Sequence, residues 1–192
     1  MSSNSGGYLV CSLAFASALL ATGCERVLGP GEFQPIPDVN LPTPDANGDQ
    51  VYFASFESTA DIVGWQAYGS IRLAEDAPEG GGIHSLHVSG GCIYPHAQRI
   101  LPPLDRAAHL VLRAMGKNTS NGGGIMLRWA ATSGSEHAIS VGVTDTAWTT
   151  ITSDDILFVP AGIPVQLELA AGGIMYSTML VEWVEILRVE SY

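Results

Sequence analysis

Apolar residues in this chain recur at every second position, in short runs. Ile125, Leu127, Trp129 and Ala131 fall on one side of an extended segment, with Met126, Arg128 and Ala130 on the other. Ile163, Val165, Leu167 and Leu169 alternate with Gln166 and Glu168. Leu86 and Val88 alternate with Ser85, His87 and Ser89, and Leu110, Leu112 and Ala114 with Val111, Arg113 and Met115. A period of two belongs to a strand whose two faces meet different surroundings. Between the runs stand turn clusters, at 79–82, 90–91, 118–124, 133–135 and 172–173. No segment combines a 3.6-residue period with caps, and Asp105 to His109 has room for one helical turn at most. The pattern predicts an all-β fold, a two-sheet antiparallel β-sandwich.

The N-terminus differs in kind. Residues 1–23 carry no charged side chain, and Tyr8 to Ala21 is a run of 14 apolar or small residues. That suits the apolar region of a signal peptide and falls short of the roughly 18 residues that span a bilayer. The run ends in Leu20-Ala21-Thr22-Gly23-Cys24, which resembles the lipobox of bacterial lipoproteins. The resemblance implies that 1–23 is removed, that Cys24 is acylated, and that the chain is held to a membrane of the bacterial envelope by its N-terminal lipid. By the sorting habit of the resembled lipoproteins, Glu25 implies compatibility with the outer membrane. The other readings of these residues are a cleaved secretory peptide with an incidental cysteine, or a buried helix.

Residues 24–49 read as a linker. Five of the chain's 11 prolines (Pro30, Pro35, Pro37, Pro42 and Pro44) lie there, and five acids stand against Arg26. Such a segment is an extended tether between membrane and domain. The sandwich is assigned to 50–192. With a net charge of -11 and Lys117 as its single lysine, the chain is not a nucleic-acid binder. Cys92 is the cysteine left after Cys11 and Cys24, so no intrachain disulfide is expected. It reads as a small buried hydrophobe rather than a partner of His96.

Within the domain, Phe56-Glu57 followed by Gly64-Trp65, the run from Ala77 to Val88, Leu110 to Gly116, Thr146 to Ile151 and Leu180 to Val189 come in a telling order. Together they resemble the galactose-binding-like jelly rolls that serve as carbohydrate-binding modules beside polysaccharide-degrading enzymes. The resemblance implies a jelly roll with a glycan as partner. It also implies a structural calcium, held by an acid of the first strand and one of the last, here Glu57 and Glu182. Independently, Glu182 and Glu185 are in opposite phase on one strand, so one of them points to an apolar side and needs a cation, an arginine or a loop amide.

Sugar rings present apolar C–H faces, which favour aromatic platforms rimmed by planar hydrogen-bonding groups. The candidates are Trp65, Tyr68, Tyr94, Trp129, Tyr176 and Trp183. Trp129 is in phase with Ile125 and Leu127 and reads as core; Trp65 and Trp148 match structural positions of the resembled modules. Tyr94 and Tyr176, beside glycine-rich loops, are the expected platforms. His87, Arg113 and Arg128 are expected to stand on neighbouring strands of the face away from the core, as donors. No zinc-ligand spacing, nucleophile elbow or glycosidase carboxylate pair is present. The expectation is therefore a non-catalytic glycan binder; the alternative is an envelope lipoprotein whose sandwich docks a protein partner.

Overall fold

The computed structural model describes residues 50–90, 94–172 and 177–189. Twelve strands run through them, and no helix occurs among the described residues: β1 (Gln50–Ala54), β2 (Gln66–Tyr68), β3 (Ser70–Ala74), β4 (Ser85–Ser89), β5 (His96–Leu101), β6 (Ala108–Ser120), β7 (Gly123–Ala130), β8 (Glu136–Val143), β9 (Thr149–Thr152), β10 (Leu157–Val159), β11 (Val165–Ala171) and β12 (Thr178–Val189). Asp105 and Arg106 form a bend rather than a helical turn, and Ala108 already belongs to β6.

The strands form two antiparallel sheets, the predicted β-sandwich. A seven-stranded sheet is ordered β10-β6-β12-β4-β3, with β1 added to β12 and β9 to β6. A five-stranded sheet is ordered β2-β5-β11-β7-β8. Alternation decides which side of each strand is dry. In β6, Ala108, Leu110, Leu112 and Ala114 are buried, and in β5 the buried positions are Ala97, Arg99 and Leu101. Leu86, Val88, Ile125, Leu127, Leu167, Leu169, Met179, Val184 and Ile186, each at most 1 % exposed, fill the space between the sheets. Truncating one of these leucines to alanine costs about 2–5 kcal/mol through lost burial and the cavity left behind.

The predicted turn at 118–124 is half strand. Asn118 to Ser120 continue β6, and the chain reverses at Asn121 (φ 63°) and Gly122 (φ 75°). The Asn118 Oδ1 accepts hydrogen bonds from the amides of Ser120 (2.8 Å) and Gly122 (2.9 Å), which spares the reversal two unpaired N–H groups. This tight link carries the chain from one sheet to the other.

Candidate functional site

The outward face of the five-stranded sheet has an ordered set of side chains. Cross-strand register defines its rows. In one row, Tyr68 faces His96, His96 faces Ala170, Ala170 faces Gly124, and Gly124 faces Gly142. The next row reads Gln66, Gln98, Glu168, Met126 and Ser140. Five strands at about 4.8 Å spacing make each row roughly 19 Å long, room for several sugar rings laid across the strands. The first row is aromatic at one end and carries only small residues beyond it, with Ala170 buried at 6 % exposure, Gly124 half-buried and Gly142 exposed.

The aromatic end is a cluster. The rings of Tyr68 and His96 stack at 4.5 Å with 24° between planes, and Tyr94 lies 6.3 Å from His96. Tyr68 and Tyr94 are 45 % and 49 % exposed, so both offer ring faces to solvent. Beside them runs a chain of amides: Gln166 Nε2 donates to Gln98 Oε1 at 2.6 Å, and Gln98 Nε2 to Gln66 Oε1 at 3.2 Å. Held in this way, the three amides keep outer donors and acceptors in fixed places, the planar rim that sugar hydroxyls require.

The face is close to neutral. Arg128 donates from Nη1 to Glu136 and from Nη2 to Glu168, each at 3.0 Å. Glu168 is 8 % exposed, so the guanidinium is the partner that makes its burial tolerable. One cation against two carboxylates leaves no surplus positive charge for an acidic ligand.

The remaining expected donors do not join this face. His87 lies on β4 and Arg113 on β6, both in the seven-stranded sheet, whereas Arg128 lies on β7 in the other. His87 and Arg113 are not on adjacent strands either, because β12 runs between β6 and β4. Alternation sets the phase of a residue within its strand and says nothing about which sheet the strand joins. Arg113 pairs with Glu185 at 3.0 Å and lies over the Trp183 ring at 5.9 Å. Burial, with Arg72 on the next strand, holds the His87 imidazole below its usual range.

Trp65 is buried and Trp129 packs on the core edge, where its indole N–H donates to the Phe158 carbonyl at 2.8 Å. Trp148 Nε1 donates to Asp76 Oδ1 at 3.3 Å, and Lys117 also grips that carboxylate, at 2.8 and 2.9 Å. This tie holds the Asp76 carboxyl below its ordinary range and fastens a loop. Tyr176, Cys24 and Cys92 lie outside the described residues. Tyr68 and the three glutamines belong to the face although β2 is too short, at 3 residues, for alternation to mark its phase.

Glu57 and Glu182 converge on one loop. The Gly82 amide donates to Glu182 Oε1 at 2.7 Å, and the next amide, that of Ile83, to Glu57 Oε2 at 3.0 Å. Of the partners the sequence left open for Glu182, the loop amide is the one seen. Three local features aim this pair. Register shifts between Val181 and Trp183, and this bulge turns Glu182 toward the loop. Phe56 adopts φ 52°, a left-handed conformation uncommon for an aromatic residue, immediately before Glu57. A Cβ on Gly81 would collide with the Glu182 carboxylate, and one on Gly82 with that of Glu57. Neither carboxylate has a lysine or arginine partner among the described residues. The two carboxylates, one of them 5 % exposed, are oxygen donors of the kind a hard divalent cation takes, but no third Asp, Glu, His or Cys joins them among the described residues, so backbone carbonyls would have to complete such a site.

No protein-family model and no curated protein matches the sequence. Solved structures do. The CBM22-1 xylan-binding domain of Paenibacillus barcinonensis Xyn10C superposes with a TM-score of 0.55 at 15 % identity, over 76 % of this chain and 97 % of that one. The CBM22-1 and GH10 modules of Clostridium thermocellum xylanase 10B, solved with xylohexaose, give 0.54 at 15 % identity over 75 % of this chain and 29 % of that one. The family 11 carbohydrate-binding module of C. thermocellum cellulase Lic26A-Cel5E gives 0.50 at 14 % identity over 72 % and 94 %. The fold is the jelly roll of these modules.

Proposed function

We propose that this protein is a non-catalytic carbohydrate-binding module that holds a neutral polysaccharide across the outward face of its five-stranded sheet. The observation that carries the reading is the alignment in register of Tyr68 and His96 with Ala170, Gly124 and Gly142, beside the amides of Gln66, Gln98 and Gln166. A glycan chain stacks on Tyr68 and Tyr94, runs over the small residues, and exchanges hydrogen bonds with the amides and with Ser140. The chemistry is binding alone. Arg128 is spent on Glu136 and Glu168, which leaves the face suited to neutral sugars rather than uronic acids. The likeness to a xylan-binding domain and to modules solved with xylohexaose supports the same reading.

The domain is assigned to 50–192, tethered through the proline-rich 24–49 segment to lipid on Cys24 at the bacterial outer membrane. Cys24→Ala should move the protein from the membrane fraction to the soluble fraction, because the acyl chains supply the attachment. Calcium is assigned to Glu57 and Glu182, where it would neutralise the pair and lock the 81–83 loop.

Affinity gel electrophoresis of the purified protein tests the binding role. Xylan, mixed-linkage β-glucan and other neutral polymers are compared with polygalacturonate. Retardation by a neutral polymer and none by the polyuronate is expected. Tyr68→Ala should weaken retention at least about tenfold, the effect of losing a central aromatic anchor. Mobility unchanged by every polymer would sink the proposal and favour protein docking through the seven-stranded sheet, where Phe158 is 49 % exposed.

A further inference from the structure

Arg99 occupies an unusual place for a charged side chain. It alternates with Ala97 and Leu101, so β5 sends its guanidinium between the two sheets, where the residue is only 8 % exposed. Among the described residues no carboxylate lies within ion-pair distance of it. Its hydrogen bond runs from Nη1 to the Val63 carbonyl, at 3.3 Å. A guanidinium removed from water without a counter-charge is costly, and native structures ordinarily supply one.

Two further donors meet it. The ring of Tyr52, on β1 of the opposite sheet, lies 5.7 Å from the guanidinium carbon. Trp65 directly precedes Gln66, which pairs with Gln98, so extending that register sets buried Trp65 opposite Arg99 in the backbone. The Tyr52 hydroxyl and the Trp65 indole N–H are both buried without a hydrogen-bond partner among the described residues. Phe56 packs 5.7 Å from Trp65 and closes the flank. Burial pushes the Tyr52 hydroxyl up to about 12 against the opposing pull of the Arg99 guanidinium beside it, so it stays protonated. The Asp61 carboxylate bears on Tyr52 through its charge, but its Oδ2 accepts from the Ser58 amide (2.7 Å) and hydroxyl (3.0 Å), and it makes no ion pair with Arg99. The set is therefore three kinds of donor around one guanidinium, with the Val63 carbonyl already engaged and no carboxylate within ion-pair distance of Arg99 among the described residues.

We propose that a small monovalent anion of halide size binds between the sheets at Arg99, Tyr52 and Trp65. Water would accept two of these hydrogen bonds but would leave the charge uncompensated; an anion answers both needs. Bound there, it ties the loop that leads from β1 into β2. Turn hydrogen bonds coil that loop, from Asp61 N to Ser58 O and from Val63 N to Ala60 O, and it ends where Gln66 and Tyr68 enter the outward face. The anion is thus a fastener of the edge strand that completes the binding face, and its presence does not depend on the glycan reading.

The test compares thermal unfolding of the whole protein in sodium chloride, bromide and gluconate at matched ionic strength, alongside a crystal grown in bromide. Chloride and bromide should raise the midpoint over gluconate by at least about 3 °C. Anomalous bromide density should lie within hydrogen-bond reach of Arg99. Arg99→Met should abolish the halide dependence. Should that variant not fold, Tyr52→Phe keeps the ring, removes one donor, and should weaken halide affinity about tenfold. Equal midpoints in halide and gluconate, or a peak that scatters as water and gives no bromide signal, would overturn the proposal.

Discussion

Gly142 takes part in the outward face by having no side chain. A Cβ placed there would meet nothing closer than Thr144 Cγ2 at 3.7 Å, an ordinary contact, so packing does not demand glycine. Position 142 continues the row from Tyr68, which is the glycan's path in the proposed reading. Gly142→Leu is therefore expected to leave the unfolding midpoint within about 2 °C of the parent and to reduce polysaccharide retention at least about tenfold. Retention at parental strength in a folded variant would remove position 142 from that path. At this scale the sequence was partly legible. Trp129 reads as core from its phase, and it does pack against the core. Tyr68 could not be singled out, because its role comes from His96, 28 positions away in the chain, through a pairing that no local pattern encodes.

Elements were legible where alternation was long. β6, β7 and β11 follow from their apolar period, whereas sheet membership does not, which is why Arg128 stands apart from His87 and Arg113. The polar end of β6 read as a turn because Asn118, Thr119 and Ser120 favour turns; pairing with β12 through Thr178 and Met179 overrides that preference. The same scale holds the calcium proposal, since the bulge in β12, the bend at Phe56 and the Gly81-Gly82 loop must coincide to make the pair. Added calcium should raise the unfolding midpoint by several degrees and chelator should lower it, because a ligand bound to the folded state alone stabilises it. Glu182→Gln should remove the response. Identical midpoints with calcium and with chelator would leave the two loop amides as the complete partners of this pair.

For the molecule as a whole, two sheets offer two outer faces of different character. The five-stranded sheet presents paired charges, amides and an aromatic cluster around a bare row. The seven-stranded sheet presents Arg113 over Trp183, with Phe158 and the exposed Ile156 toward one edge. In the proposed reading the glycan lies on the first of these, and the second has no part in sugar binding. Amide chemical-shift mapping during titration with an oligosaccharide from the retained polymer decides between them most directly. Saturable shifts are predicted on β2, β5, β7, β8 and β11, strongest around Tyr68, His96, Gly124 and Gly142, and absent from the Tyr68→Ala variant. Shifts confined to the strands that carry Arg113 and Trp183 would contradict the account, as would a spectrum unmoved at any sugar concentration.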